Sequence, residues 1–111
     1  MKLSKEIIKG SLPLVILEIL SDGDEYGYNL AQEIRKRSND LLKAGDGTLY
    51  PAMYKLESKK LIKSYWNEEY SPKRKYYFVT KEVKSYLKEH KEEWREFINM
   101  LQKNFKFSVV L

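Results

Sequence analysis

Residues 55 to 75 carry seven Lys or Arg against three Asp or Glu, so this short stretch holds most of the chain's net charge of +5. Eight of the fifteen aromatic side chains lie in or beside it: Tyr50, Tyr54, Tyr65, Trp66, Tyr70, Tyr76, Tyr77 and Phe78. Lys and Arg pair with phosphate oxygens, and Tyr and Thr hydroxyls donate to them. A local basic, aromatic patch is the footprint of nucleic-acid binding, whereas a scattered charge is only a solvated surface. Composition leaves both readings open. The order of elements along the chain must separate them.

Other chemistry is largely excluded. The chain has 111 residues, no Cys and one His, which removes disulfides, Cys-ligated zinc, a thiol nucleophile and any His-rich metal site. It shows no Ser/His/Asp spacing, no Gly-rich phosphate loop and no carboxylate pair with an evident cleft, so neither an enzyme nor a cofactor is expected. Asp22, Asp24 and Glu25 cluster as turn and helix-start acids. No apolar run reaches the about 20 residues that span a bilayer. Met1 to Gly10 lacks the cationic start and apolar run of a signal peptide, and a cytoplasmic location is expected. The length suits one domain.

The elements that must position the patch follow from periodicity. Ile7, Ile8, Leu12, Val15, Ile16, Ile19 and Leu20 form a helical stripe; Pro13 interrupts it, so either Ser11 caps a helix there or a longer helix kinks at this point. Ser21-Asp22-Gly23-Asp24 ends it. A second helix is expected over Glu25–Ser38, with Gly27 inside it marking close backbone packing. A third runs from about Thr48 to Lys60, with Leu49, Ala52, Met53 and Leu56 inward. Pro51 then falls in its first turn. Thr48, Tyr50, Tyr54, Lys55, Ser58 and Lys59 are left facing outward.

Residues 61–67 and 73–80 alternate apolar and polar around a Pro-containing turn, which predicts an antiparallel hairpin whose second strand opens with Lys73-Arg74-Lys75. Thr80 is the expected N-cap of a long last helix. There Val83, Leu87, His90, Trp94, Phe97 and Leu101 recur at spacings of 4, 3, 4, 3 and 4, a heptad seam. So long a helix exceeds what a small body can cover, which points to a homodimer. His90 is expected as a packed interior His, and the apolar tail from Asn104 to Leu111 has no assigned role.

Helix, helix, helix, hairpin, helix is the order of a winged helix-turn-helix: mainly α with a small β-hairpin, plus a C-terminal dimerisation helix. Residues 1–80 would form the DNA-binding part and 81–111 the dimerisation helix and tail of a single compact domain. In this arrangement the third helix enters the major groove and the hairpin touches the backbone or the minor groove. The charged patch falls on those two elements. Thr48, Tyr50, Tyr54, Lys55, Lys59, Lys73, Arg74 and Lys75 are therefore the expected contacts to double-stranded DNA, which a symmetric dimer would read as a palindromic operator. Tyr50 serves equally as a packing residue, and Tyr77 is assigned to packing. The competing class is a protein-interaction module that dimerises through its heptad helix alone. RNA is disfavoured because the Tyr residues fall on a helix and a wing.

The same residues resemble the PadR family of transcriptional regulators. The resemblance rests on Lys9-Gly10-Ser11-Leu12, Tyr26-Gly27-Tyr28, Gly47-Thr48-Leu49-Tyr50-Pro51, Leu56-Glu57, Leu61-Ile62, Trp66, Arg74-Lys75-Tyr76-Tyr77 and Val79-Thr80. Two positions depart from the family pattern: Val83 replaces a Gly and Val79 a Leu. The last helix with Trp94 is most similar to that of the compact LmrR-like subgroup. That likeness implies a dimeric repressor in which Trp94, with Phe97, Val15 and Ile8 nearby, takes planar hydrophobic or aromatic effectors. A plain heptad core residue is the other reading of Trp94.

Overall fold

The computed structural model describes residues 1–106. Helix α1 spans Lys5–Ser21 and helix α2 Gly27–Arg37, with strand β1, Glu25–Tyr26, between them. Helix α3 covers Asp46–Ser58, strands β2 and β3 cover Ile62–Asn67 and Arg74–Val79, and α4 runs Val83–Phe105. Leu12, Ile16, Leu17, Leu30, Ile34, Leu49, Met53, Leu56 and Ile62 are fully buried in one core. Each such side chain contributes about 1.5–3 kcal/mol of hydrophobic stabilisation. Val83 and Leu87 of α4 join the same core, so the Val83 departure fills the interior where a Gly would leave a gap.

Of the two readings of the first helix the longer one holds: α1 runs through Pro13 and is capped by Ser4, whose Oγ accepts from the Ile7 amide at 3.4 Å. Ser11 lies inside the helix and donates to the Ile7 carbonyl. Several other local expectations are corrected. Glu25 and Tyr26 form a strand, so α2 begins at Gly27 instead of enclosing it. Glu25 accepts from Asn29, and Asp22 pairs with Arg37, which gives those turn acids partners. Helix α3 starts at Asp46, which puts Pro51 beyond the first turn. Thr80 is not the N-cap of α4, which is Glu82: its amide donates to the Leu61 carbonyl and its hydroxyl to the Lys60 carbonyl at 2.7 Å, and only its carbonyl serves α4, accepting from the Val83 amide. It ties the end of β3 to the end of α3.

The hairpin has the expected register, with Ile62 opposite Val79 and Asn67 opposite Arg74. The third strand, β1, pairs with β3 to give the order β1-β3-β2. Two residues carry too little alternation to be read from sequence, and their strand exists only because β3 offers a free edge. Helix α3 ends in a Schellman motif: the Leu61 amide donates to the Leu56 carbonyl and the Lys60 amide to the Glu57 carbonyl. Lys60 takes the left-handed position usually given to Gly, at φ +61°. Leu56 and Leu61, both buried, supply the apolar contact that accompanies this motif.

Candidate nucleic-acid interface

Helix α3 buries Leu49, Met53 and Leu56, and at 3.6 residues per turn the opposite face carries Gly47, Pro51, Tyr54 and Ser58. Tyr54 is the most exposed aromatic of that face, at 72%. The expected contact residues lie around this face in two groups. Tyr50 leans one way, with its hydroxyl over the first residue of α2. A Cβ built on Gly27 would stand 2.6 Å from that oxygen, so the glycine lets α2 and the Tyr50 ring approach. Thr48, Lys55 and Lys59 lean the other way, toward α1 and α4. Thr48 and Lys55 border a shallow cleft with Lys9, Leu12 and Pro13, and the Lys59 ammonium lies 5.8 Å from the Tyr86 ring centre.

The three consecutive cations at the start of β3, Lys73 just before it and Arg74 and Lys75 within it, do not act as one group, because residues along an extended chain alternate faces. Arg74 lies on the outer face of the sheet, between the rings of Tyr70 and Tyr26, at 3.8 and 4.4 Å from their centres. Hydrogen bonding to Tyr76 holds its guanidinium in the charged form. Tyr26, Tyr76, Tyr65 and Phe78 continue that face, with Tyr65 and Tyr76 stacked at 5.7 Å. Tyr residues thus do occupy a sheet, contrary to the sequence reading, yet they stack on one another. Tyr65 also donates to Asp24 at 2.9 Å, which pushes its phenol above the ordinary range. Lys73 and Lys75 instead flank Trp66, which is 53% exposed. Tyr77 is buried at the base of the sheet, as its packing assignment requires.

A second feature lies between α1, α3 and α4. A cleft of about 540 Å³ is lined by Leu14, Ala52, Tyr86, His90, Trp94 and Phe97, with Lys55 and Lys59 at its border. That volume suits a small-molecule ligand. The Trp94 indole meets Phe97 edge-to-face at 5.8 Å and lies against α1 beside Gly10, where an added Cβ would still fit. Leu14, not Val15, reaches this cleft. Ile8 borders a smaller one with Lys5, Lys9, Gly47 and Thr48, so the structure does not bring Ile8 and Val15 to Trp94. His90 is 30% exposed and packs tilted against Tyr86 at 4.0 Å with Nδ1 3.7 Å from Glu93, so it is packed as expected but lies at the cleft wall instead of in the interior. Sequence reasoning counted Trp66 and Tyr70 in the patch without giving either a contact role, and passed over Tyr86. Alternation in β2 does mark Trp66, but only tertiary structure shows that the body ends before it.

Among the described residues no group of His, Asp and Glu is arranged to hold a metal, and no helix is long and apolar enough to cross a membrane. Residues 16–89 match the transcriptional regulator PadR-like family. A transcriptional regulator from Clostridium thermocellum is 36% identical and superposes with a TM-score of 0.83, over 89% of this chain and 97% of that one. A PadR family transcription regulator from Clostridium difficile R20291 is 42% identical, with a TM-score of 0.70 over 87% and 99%. An uncharacterized protein of Lysinibacillus sphaericus is 39% identical over 92 residues, which is 82% of this chain and 84% of that one. A helix-turn-helix whose basic residues gather on its third helix and wing, and the match over most of its length, lead to one assignment: the chain belongs to the PadR-like family of DNA-binding transcriptional regulators, and is not an enzyme.

Proposed function

We propose that the protein is a homodimeric, ligand-responsive repressor. Two copies pair through the distal apolar face of α4, with residues 1–80 acting as the DNA-binding part and 81–111 as the dimerisation part. Tyr54, Lys55 and Lys59 of α3, with Thr48 and Tyr50 on its flanks, approach the major groove and adjoining phosphates. Lys73 and Lys75 bind phosphate from the wing, and Arg74 does so from its other face. A planar hydrophobic or aromatic effector stacks on Trp94 and releases the DNA. The observation that carries this reading is one cleft lined by residues of both proposed sites. Trp94 and Phe97 form its apolar wall while Lys55 and Lys59, from the DNA-facing helix, form its border. An occupant would therefore meet the same lysines that meet phosphate.

Pairing through α4 is supported by its burial gradient. Val83 and Leu87 are buried, whereas Phe97 and Met100 further along are about half exposed. Such a face is a normal cost only when a partner covers it. The reading predicts salt-sensitive binding to DNA just upstream of the protein's own coding region, with log K falling by about 0.9 per phosphate neutralised for each tenfold rise in salt. A flat salt profile in an anisotropy titration defeats it. Planar aromatic compounds should quench tryptophan emission and lower DNA affinity, and the effect should vanish in Trp94→Ala. A broad panel that leaves both unchanged removes the effector part.

A further inference from the structure

Trp66 is an expensive residue in an unexpected place. Along β2, Ile62, Ser64 and Trp66 share one face of the sheet, and along β3 so do Lys75, Tyr77 and Val79. At the base of the hairpin this face is the core side, where Ile62 and Tyr77 are buried. Four residues further along, the helices have ended and Trp66 faces solvent. Burial in the fold therefore does not account for the indole. Its neighbours are two cations: Lys73 Nζ lies 4.8 Å and Lys75 Nζ 6.0 Å from its ring centre. Lys75 is its direct cross-strand partner. The Arg of the same triplet is held on the opposite face by Tyr26 and Tyr70. The wing thus presents one bare aromatic between two cations, on the side of the sheet to which α3 belongs.

We propose that Trp66 is a DNA-contacting residue of the wing. Its indole packs on the apolar edges of deoxyribose along one strand, and Lys73 and Lys75 take the phosphates on either side. Sugar and phosphate receive most protein contacts to a duplex, and they present alternating C–H surface and negative charge. A ring flanked by ammonium groups matches that alternation. The ring also holds the Lys73 ammonium near itself, so less side-chain freedom is lost when phosphate binds, while the Lys75 ammonium stands between the rings of Trp66 and Tyr77, 5.6 Å from the latter. The contact carries no base specificity and acts on any duplex. It rests on the DNA-facing assignment of the wing made above.

The test uses the full chain and a labelled mixed-sequence duplex at low salt. Trp66→Ala should weaken binding about tenfold, close to 1.4 kcal/mol, while leaving the salt slope unchanged, because the indole neutralises no phosphate. Trp66→Phe should keep most of the affinity. Lys75→Ala should reduce the slope by about one. In Trp94→Phe, where Trp66 is the sole tryptophan, its emission should shift to the blue and quench on saturation with duplex. Thermal unfolding of Trp66→Ala should match wild type, since the ring is not part of the core. The proposal is overturned if Trp66→Ala binds within twofold of wild type, if it melts markedly lower, or if Trp66 emission ignores the duplex. Tighter Trp66-dependent binding to the single strand would also overturn it, by indicating base stacking. A wild-type protein that fails to bind duplex at all would instead sink the DNA-facing assignment itself. Loss confined to Trp66→Ala cannot be confused with that outcome.

Discussion

Single atoms decide how α3 sits. The Tyr50 hydroxyl occupies the space that a side chain at position 27 would need, at 2.6 Å from a Cβ built there, while its ring carbons stand at 3.4 Å. Gly27→Ala therefore forces the Tyr50 ring to swing aside, although Ala is the better helix former. The variant should lose about 1 kcal/mol of stability, within the usual range for overpacking, together with part of its DNA affinity. Tyr50→Phe removes the offending oxygen, so the double variant should recover much of the loss. A double-mutant cycle by urea denaturation measures the coupling, and additive effects would show that the two residues do not compete for space. Gly27 was legible in the sequence as a site of close approach. Its partner was not, because 23 residues separate it from Tyr50 and no local period connects them.

Elements are held at their ends as much as along their lengths. Helix α3 passes into β2 through Lys60 in a left-handed conformation, which costs an L-residue roughly 1 kcal/mol relative to Gly. Lys60→Gly should therefore raise stability by about 0.5–1 kcal/mol, measured as a higher urea midpoint at unchanged slope. Salt-dependent DNA binding should fall little if Lys60 serves the turn and not the duplex. Thr80 closes the same junction from the wing side through its bond to the Lys60 carbonyl. The sequence pointed to helix, hairpin and helix correctly, because long runs with a clear period carry their own signal. It misplaced the caps, because Ser4 and Ser11 offer the same hydroxyl and Thr80 has an equally good tertiary acceptor.

At the scale of the molecule, the sheet and helices share one core and the last helix projects from it. The extents are 52 × 31 × 21 Å and the radius of gyration is 15.3 Å, against about 13 Å for a compact chain of this length. Phenols are part of what holds the sheet: burial raises Tyr77 above the ordinary range, and the bond to Asp24 raises Tyr65. A raised phenol favours its neutral form in the fold, so this stability is complete below about pH 10, the unfolded value. It is lost as pH rises through the folded values. Because Tyr77 belongs to the core shared with the helices, alkaline titration should unfold sheet and helices together, seen as tyrosinate absorbance rising with the loss of both near-ultraviolet and helical dichroism. Loss of the near-ultraviolet signal before the helical one would show the wing to be a separate unit. The remaining tail residues of the sequence reading, 107–111, lie outside the described residues.

Sequence by itself determined the order of the helices and the hairpin, the absence of Cys chemistry and the concentration of charge on one helix and one hairpin, and its motifs carried the family resemblance. The first three are properties of composition and short-range period, and each residue carries its share of them. Tertiary structure alone decided which cations act together. It set Arg74 against Tyr26 and Tyr70, left Trp66 between Lys73 and Lys75, and brought Lys55 and Lys59 to the cleft of Trp94. The physical reason is that a face of a strand or helix is fixed by local geometry, but its occupant depends on where the body of the protein ends.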